Sequence, residues 1–156
     1  AGISVMALDI AKGSLATLLP RWFNVYLWKP NFTMLLFGIF AILGHSFSIF
    51  NHFRGGKAVA TSAGMLLIYN WTLFLFCCSM MIITITISSM VSLASMVSFT
   101  LITIVIFLIH DWLLFPLAVI LTIFVFYRHR NNLIRIKNHN ENLVHFGLNY
   151  WHQKQR

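Results

Sequence analysis

The sequence has very little charge with which to cover a water-soluble surface. Only 9% of its 156 residues are Asp, Glu, Lys or Arg, whereas 59% are hydrophobic, and the mean hydropathy is +0.81. Soluble domains carry far more charge than this, because their surfaces must stay hydrated. The composition therefore excludes soluble enzyme classes and predicts an all-α, polytopic integral membrane protein.

Acidic residues and cysteines are also scarce. The carboxylates are Asp9, Asp111 and Glu141, against eleven Lys and Arg, and the formal net charge is +8. These separated carboxylates exclude a paired-carboxylate site, and the adjacent Cys77 and Cys78 have no partners at metal-ligand spacing. We therefore expect neither a metal ion nor a cofactor.

The excess of positive charge is unevenly distributed. More than half of the Lys and Arg residues follow Tyr127, and most of the others lie in short loops. This pattern suits anionic lipid headgroups and the basic character of cytoplasmic loops, so it favours membrane lipids over nucleic acid as partners. The basic segment from Arg128 to Lys137 should then be cytoplasmic.

Five apolar runs determine the expected number of helices, and they cover residues 1–19, 32–50, 58–88, 91–109 and 112–127. A helix needs about 20 residues to cross the hydrocarbon layer, so the third run is too long for one crossing. A break near Asn70 and Trp71 returns the basic loop at residues 54–57 to the cytoplasmic side.

The predicted fold is thus a bundle of about six helices, in which residues 58–69 form a short half-span of ~18 Å. Residues 1–127 make up the transmembrane helical domain. Residues 128–156 form a basic cytoplasmic C-terminal segment.

One loop between apolar helices has the composition of an anion-binding site. Its Gly55-Gly56-Lys57 sequence combines a glycine pair able to take positive φ, a cation, and a following helix start with unpaired N–H groups. Phosphate is the anion that suits such a loop. A basic interhelical turn facing the cytoplasm explains the same residues equally well.

Two charged residues lie inside the first apolar run. Asp9 and Lys12 are three residues apart, so they share a helix face where each offsets the other's desolvation cost. Intramembrane charges commonly belong to functional sites, and a structural ion pair that locks helix packing is an equal alternative.

Polar residues follow or begin other apolar runs. His129 and Asn132 also have the i, i+3 relation, and together they suit holding a reacting hydroxyl. A basic interfacial helix lying among lipid headgroups is the competing interpretation. Ser92 and Ser95 begin a span, where capping of the helix is favoured over ligand binding.

Taken together, four motifs resemble the bacterial acyl-phosphate:glycerol-3-phosphate acyltransferase family over residues 2–141. They are Leu8-Asp9-Ile10-Ala11-Lys12-Gly13, Gly44-His45 through Gly55-Gly56-Lys57-Ala58-Val59-Ala60-Thr61, Val91-Ser92-Leu93-Ala94-Ser95, and Tyr127-Arg128-His129-Arg130-Asn131-Asn132 with Glu141.

The resemblance implies seven membrane helices, a cytoplasm-facing site in the bacterial cell membrane, and acyl transfer from acyl phosphate to the sn-1 hydroxyl of glycerol 3-phosphate. The product is lysophosphatidic acid. It implies catalytic roles for His129 and Asn132 and a structural role for Glu141. The substrate-binding residues implied are Gly55, Gly56, Lys57, Thr61, His45, Asp9, Lys12, Ser92 and Arg128.

The chain departs from the family at its start, since the family's first helix and its Gly-Ser-Gly-Asn type motif are absent. We therefore expect an N-terminally incomplete sequence or an inactive truncated homologue. A non-catalytic protein that binds phospholipid or glycerol phosphate is the alternative function. A transporter is less favoured, because the polar groups cluster at one face and no inverted repeat is evident.

Overall fold

The computed structural model describes residues 2–47, 55–144, 147, 148 and 150, and all regular structure in these residues is α-helical. The helices are α1 (Gly2–Trp22), α2 (Pro30–Ser46), α3 (Val59–Tyr69), α4 (Trp71–Ser88), α5 (Val91–Leu108), α6 (Phe115–Arg128) and α7 (Arg130–Lys137). The predicted all-α fold is confirmed. The predicted C-terminal segment, 128–156, is only partly within the described residues, since 145–146, 149 and 151–156 lie outside them.

The chain forms two compact units, Ala1–Leu75 and Phe76–Arg156. In the first, α1 packs against both α2 and α3. Gly13 and Gly64 make the contact with α3 close, because a Cβ on either would overlap a backbone carbonyl of the facing helix. The hydroxyl of Ser14 donates to the carbonyl oxygen of Gly64 at 3.0 Å, which ties the two helices together.

The long third apolar run is broken at Asn70, as predicted. Helix α3 ends at Tyr69 and α4 begins at Trp71. The side-chain oxygen of Asn70 accepts hydrogen bonds from the backbone N–H groups of Thr72 (3.1 Å) and Leu73 (3.2 Å). Asparagine stops one helix and starts the next here because its side chain caps the first turn of α4. The resulting α3 has 11 residues and is the expected half-span.

The second unit is built around the packing of α5 on α6. The hydroxyls of Thr103 and Thr122 lie 2.8 Å apart, and Thr122 also donates to the carbonyl oxygen of Phe99 at 3.2 Å. Such bonds satisfy polar side chains that would otherwise face hydrocarbon. After α6, His129 interrupts the helix, and α7 carries the chain away from it.

Two of the described helices have the length and apolar composition of membrane spans. Helices α4 and α5 are both 18 residues long, with mean hydropathies of 2.0 and 2.4. Helices α2, α3 and α6 are apolar but shorter, at 10–17 residues. Many large apolar side chains remain exposed on α1 and α4, including Leu8, Trp71 and Ile82. Lipid is the solvent that suits these faces.

Candidate active site

The Gly55-Gly56-Lys57 loop leads directly into α3, but its glycines do not have the backbone conformation that the sequence suggested. We expected them to adopt positive φ, and no described glycine does so; Ala58, the N-cap of α3, takes that conformation at φ 66°. The glycines are needed for space. A Cβ on Gly55 would overlap the backbone of His45, and one on Gly56 would overlap the His45 imidazole.

The loop is therefore pressed against the C-terminal end of α2. The N–H of Gly56 donates to the carbonyl oxygen of His45 at 3.2 Å. Lys57 is exposed beside this contact, and Ala58 is buried. The first α3 hydrogen bond in this turn joins the N–H of Ser62 to the carbonyl oxygen of Ala58, at 2.9 Å. The N–H groups at residues 59–61 precede it and point out of the helix end, where an anion is stabilised.

Three buried hydroxyls in the first compact unit, Ala1–Leu75, have no hydrogen-bond partner among the described residues. They belong to Thr61 and Ser62 at the start of α3 and to Ser46 at the end of α2. An unsatisfied buried hydroxyl costs about 1–3 kcal/mol. Thr61 was expected in the substrate site, whereas Ser46 and Ser62 were not singled out from the sequence. Donors at the start of a helix beside a lysine suit a ligand rich in acceptor oxygens.

Asp9, Lys12 and His45 form a polar cluster next to the loop. Asp9 Oδ1 lies 3.2 Å from Lys12 Nζ and 3.2 Å from His45 Nδ1. The expected pairing of Asp9 with Lys12 on one helix face is confirmed. The contact with His45 links α1 to α2 and, through the imidazole, to Gly56. Gly13, which follows Lys12, makes room for the Thr61 carbonyl and so acts in helix packing.

A second polar group lies within the other unit and is centred on Glu141. Its Oε1 accepts hydrogen bonds from the Ser92 hydroxyl and from Asn132 Nδ2, the latter at 2.7 Å. Its Oε2 is buried and has no partner among the described residues. The chain reverses after α7, which brings Glu141 back to both helices. One carboxylate oxygen of Glu141 thereby contacts Ser92, which lies 49 positions earlier in the sequence, and Asn132, which lies 9 positions earlier.

The expectation that Ser92 and Ser95 cap α5 is wrong. The N-cap residue is Met90, which makes no side-chain capping bond. Ser92 instead points its hydroxyl to Glu141, and Ser95 donates back to the carbonyl oxygen of Val91 at 2.9 Å. A short hydroxyl inside the first turn bonds a nearby acceptor when one is supplied, here a carboxylate from a distant part of the chain.

His129 is 2% exposed and lies between α6 and α7. Its Nδ1 is 2.8 Å from the carbonyl oxygen of Val125, and a carbonyl only accepts, so Nδ1 carries the proton. Asn132 follows on α7, while Arg128 ends α6 and is only partly buried.

The predicted residues thus fall into two groups, one in each compact unit. The first contains Asp9, Lys12, His45 and the loop, and the second joins Ser92, Asn132 and Glu141. Within the described ranges no set of three His, Cys, Asp or Glu side chains is arranged to hold a metal ion.

Comparisons with a family model and with curated proteins give the same family description. A family model described as glycerol-3-phosphate acyltransferase matches residues 1–139. A curated protein of that description from Levilactobacillus brevis is 55% identical over 155 residues, which cover 99% of this chain and 74% of the relative. One from Enterococcus faecalis is 47% identical over 158 residues, covering 95% of this chain and 71% of the relative.

Two solved structures are similar in fold. Both are of PlsY (YgiH), described as an integral membrane glycerol 3-phosphate acyltransferase, in a glycerol 3-phosphate form and a lysophosphatidic acid form. Each has a TM-score of 0.81 and 25% sequence identity. The first covers 92% of this chain and 70% of that chain, and the second covers 93% and 73%.

Proposed function

The chain belongs to the glycerol-3-phosphate acyltransferase family, and from this membership we propose the donor, the acceptor atom and the residues of its reaction. It is an integral membrane enzyme of phospholipid synthesis that transfers an acyl group to glycerol 3-phosphate. The donor we propose is an acyl phosphate, and the acceptor atom is the sn-1 hydroxyl. The product is lysophosphatidic acid.

The main support for a glycerol 3-phosphate site is the set of buried, unpartnered hydroxyls at the start of α3. Thr61 and Ser62 lie in its first turn, four and five positions after Lys57. A phosphate dianion supplies the acceptors that these hydroxyls and the backbone N–H groups lack. Lys57 adds a full positive charge. We assign this loop to the phosphate of glycerol 3-phosphate, with His45, Asp9 and Lys12 holding its shape and charge.

The chemistry places modest demands on the protein. Acyl phosphate is a mixed anhydride, so phosphate is already a good leaving group. The sn-1 oxygen attacks the acyl carbonyl carbon, the new ester C–O bond forms, and the C–O bond to phosphate breaks, which releases inorganic phosphate. Positioning of two anionic substrates and stabilisation of developing negative charge therefore account for most of the catalysis.

We propose catalytic roles for His129 and Asn132. The hydroxyl proton passes either to a phosphate oxygen of the substrate or to the imidazole of His129. Asn132 donates an amide hydrogen to Glu141, and we assign its side chain to positioning the reacting hydroxyl. Ser92 and Arg128 contribute a hydroxyl and a cation on the same unit.

The membrane setting supports a lipid-borne donor. The fatty acyl chain dissolves in the bilayer, while glycerol 3-phosphate arrives from water. The basic segments at residues 54–57 and 128–137 favour the cytoplasmic face of the bacterial cell membrane for this encounter.

Labelled glycerol 3-phosphate tests the proposal directly. Membranes carrying the protein receive acyl phosphate or acyl-CoA. We expect labelled lysophosphatidic acid with acyl phosphate and none above background with acyl-CoA. Product from acyl-CoA alone would reject the proposed donor. Binding of glycerol 3-phosphate without product from either donor would favour a non-catalytic binding protein.

A further inference from the structure

The turn between α4 and α5 receives the C-terminal segment of the chain. Ser89 lies in this turn, is fully buried, and adopts φ 60°. Its carbonyl oxygen accepts a hydrogen bond from the N–H of Val144 at 2.8 Å. Its hydroxyl accepts one from the N–H of Tyr150 at 3.0 Å. One residue of the turn thus holds two points of a segment more than fifty positions away.

Gly147 lies between these two points and is pressed against the same serine. A Cβ at this position would overlap the hydroxyl of Ser89 and crowd its Cα. The glycine is buried, and its N–H bonds back to the carbonyl oxygen of Val144 at 3.3 Å. No side chain larger than hydrogen fits here without moving the segment. We call Ser89, Val144, Gly147 and Tyr150 the tail latch.

The tail latch lies just beyond the carboxylate that joins Ser92 to Asn132. Val144 lies three positions after Glu141, and the N–H of Asn140 donates to the carbonyl oxygen of Arg135 at 2.8 Å. The non-helical stretch at residues 140–144 is therefore held at both ends. Fixing both ends of a short stretch removes much of its conformational freedom, which holds the carboxylate in place.

We propose that Ser89 and Gly147 are positioning residues for acyl transfer, which act by holding Glu141 against Ser92 and Asn132. The inference rests on the proposed catalytic role of Asn132. The tail latch touches no substrate. It restrains the residue that orients the Asn132 amide, and the loss of such restraint lowers the rate constant more than it weakens substrate binding.

The test uses the full chain with Ser89→Ala, which removes the bond to Tyr150, and Gly147→Ala, which displaces the segment. Asn142→Ala is the matched control, because Asn142 is an exposed residue of the same stretch. We expect kcat to fall about 10- to 100-fold in Gly147→Ala and less in Ser89→Ala, since small misplacements of reacting groups have effects of this size. The KM for glycerol 3-phosphate should change less than about twofold if positioning alone is lost.

A double-mutant cycle separates positioning from general damage. If the tail latch acts through Asn132, Gly147→Ala should have little further effect on kcat in an Asn132→Ala background. If Gly147→Ala instead impaired folding, it would lower kcat by the same factor in the unmutated and the Asn132→Ala backgrounds. Hydrogen–deuterium exchange of residues 142–150 gives a measurement that does not depend on activity, and we expect faster exchange in both latch variants and not in Asn142→Ala.

Normal kcat together with normal exchange in Ser89→Ala and Gly147→Ala would overturn the inference. A full multiplicative effect of Gly147→Ala on the Asn132→Ala enzyme would also overturn it. If Gly147→Ala does not accumulate in membranes, Ser89→Ala decides by the same criteria. Absence of activity in the unmutated protein would count against the proposed function, while the exchange measurement would still decide whether the tail latch exists.

Discussion

The imidazole of His45 is held between a carboxylate and a glycine. Its Nδ1 lies 3.2 Å from Asp9 Oδ1, and its Nε2 edge occupies the space that a Cβ on Gly56 would fill. Helix α1 thereby contacts the imidazole against which Gly56 packs. The contact brings the acidic residue of an apolar helix next to the loop that we assign to the phosphate of glycerol 3-phosphate.

Asp9→Asn should raise the KM for glycerol 3-phosphate about tenfold, because hydrogen bonds to charged groups contribute about 1.5–3 kcal/mol. The amide keeps the shape of the side chain but removes its charge, so His45 is held less firmly. Steady-state kinetics at saturating acyl phosphate measure the effect. Lys29→Gln, which removes an exposed cation from the loop before α2, is the control. Equal KM values in Asp9→Asn and the unmutated enzyme would contradict the role of the pair.

Lys57→Gln should chiefly raise the KM for glycerol 3-phosphate, by about 10- to 100-fold, because a charge-assisted bond to phosphate is lost. The KM for acyl phosphate should change less. Lys57→Arg keeps the charge and should retain most of the affinity. The two KM values are measured by varying each substrate in turn. An unchanged KM for glycerol 3-phosphate in Lys57→Gln would remove this residue from the binding site.

Glu141→Ala should destabilise the second unit, since Ser92 and Asn132 both lose their acceptor. Ser92 is buried whereas Asn132 is half-buried, and an unsatisfied buried polar group costs about 1–3 kcal/mol, so a loss of about this size is expected. Thermal unfolding in detergent and the amount of protein in the membrane report this loss. Glu141→Gln keeps one oxygen acceptor and should be milder. Equal unfolding temperatures for Glu141→Ala and the unmutated protein would show that the carboxylate is dispensable for folding.

Gly64→Ala should destabilise the contact of α1 with α3, because the added methyl group overlaps the carbonyl oxygen of Ile10. Overpacking of this kind typically costs about 1–3 kcal/mol. Gly44→Ala is the matched control, since a Cβ there meets nothing within 4 Å. Thermal unfolding of the two variants in the same detergent measures the difference. A lower unfolding temperature for Gly44→Ala than for Gly64→Ala would contradict the packing argument.

Features that follow from length and charge could be predicted from the sequence. The break at Asn70 followed from a run too long for one crossing and from the need to place basic residues on one side. The pairing of Asp9 with Lys12 followed from helical spacing. Both are local consequences of a periodic helix or of membrane thickness.

Features that depend on distant parts of the chain could not be predicted in the same way. The space requirement at Gly55 and Gly56 comes from His45 on another helix, so the sequence suggested positive φ instead. The same is true of Ser92, whose acceptor is 49 residues away. Gly147 and Ser89 belong to none of the sequence motifs, so nothing in the sequence pointed to their contact. The positive φ of Ser89 is a property of the turn that spacing does not reveal.

The shortness of α3 has a consequence for how the two substrates meet. Eleven residues at about 1.5 Å each give a rod of ~17 Å, little more than half of the ~30 Å hydrocarbon thickness. One end of α3 therefore lies at a depth normally filled by lipid tails, where its backbone must be surrounded by protein or water. A water-filled space beside that end would let a water-soluble metabolite enter from the aqueous side while an amphiphile approaches sideways from the leaflet, so neither would have to leave the medium in which it dissolves.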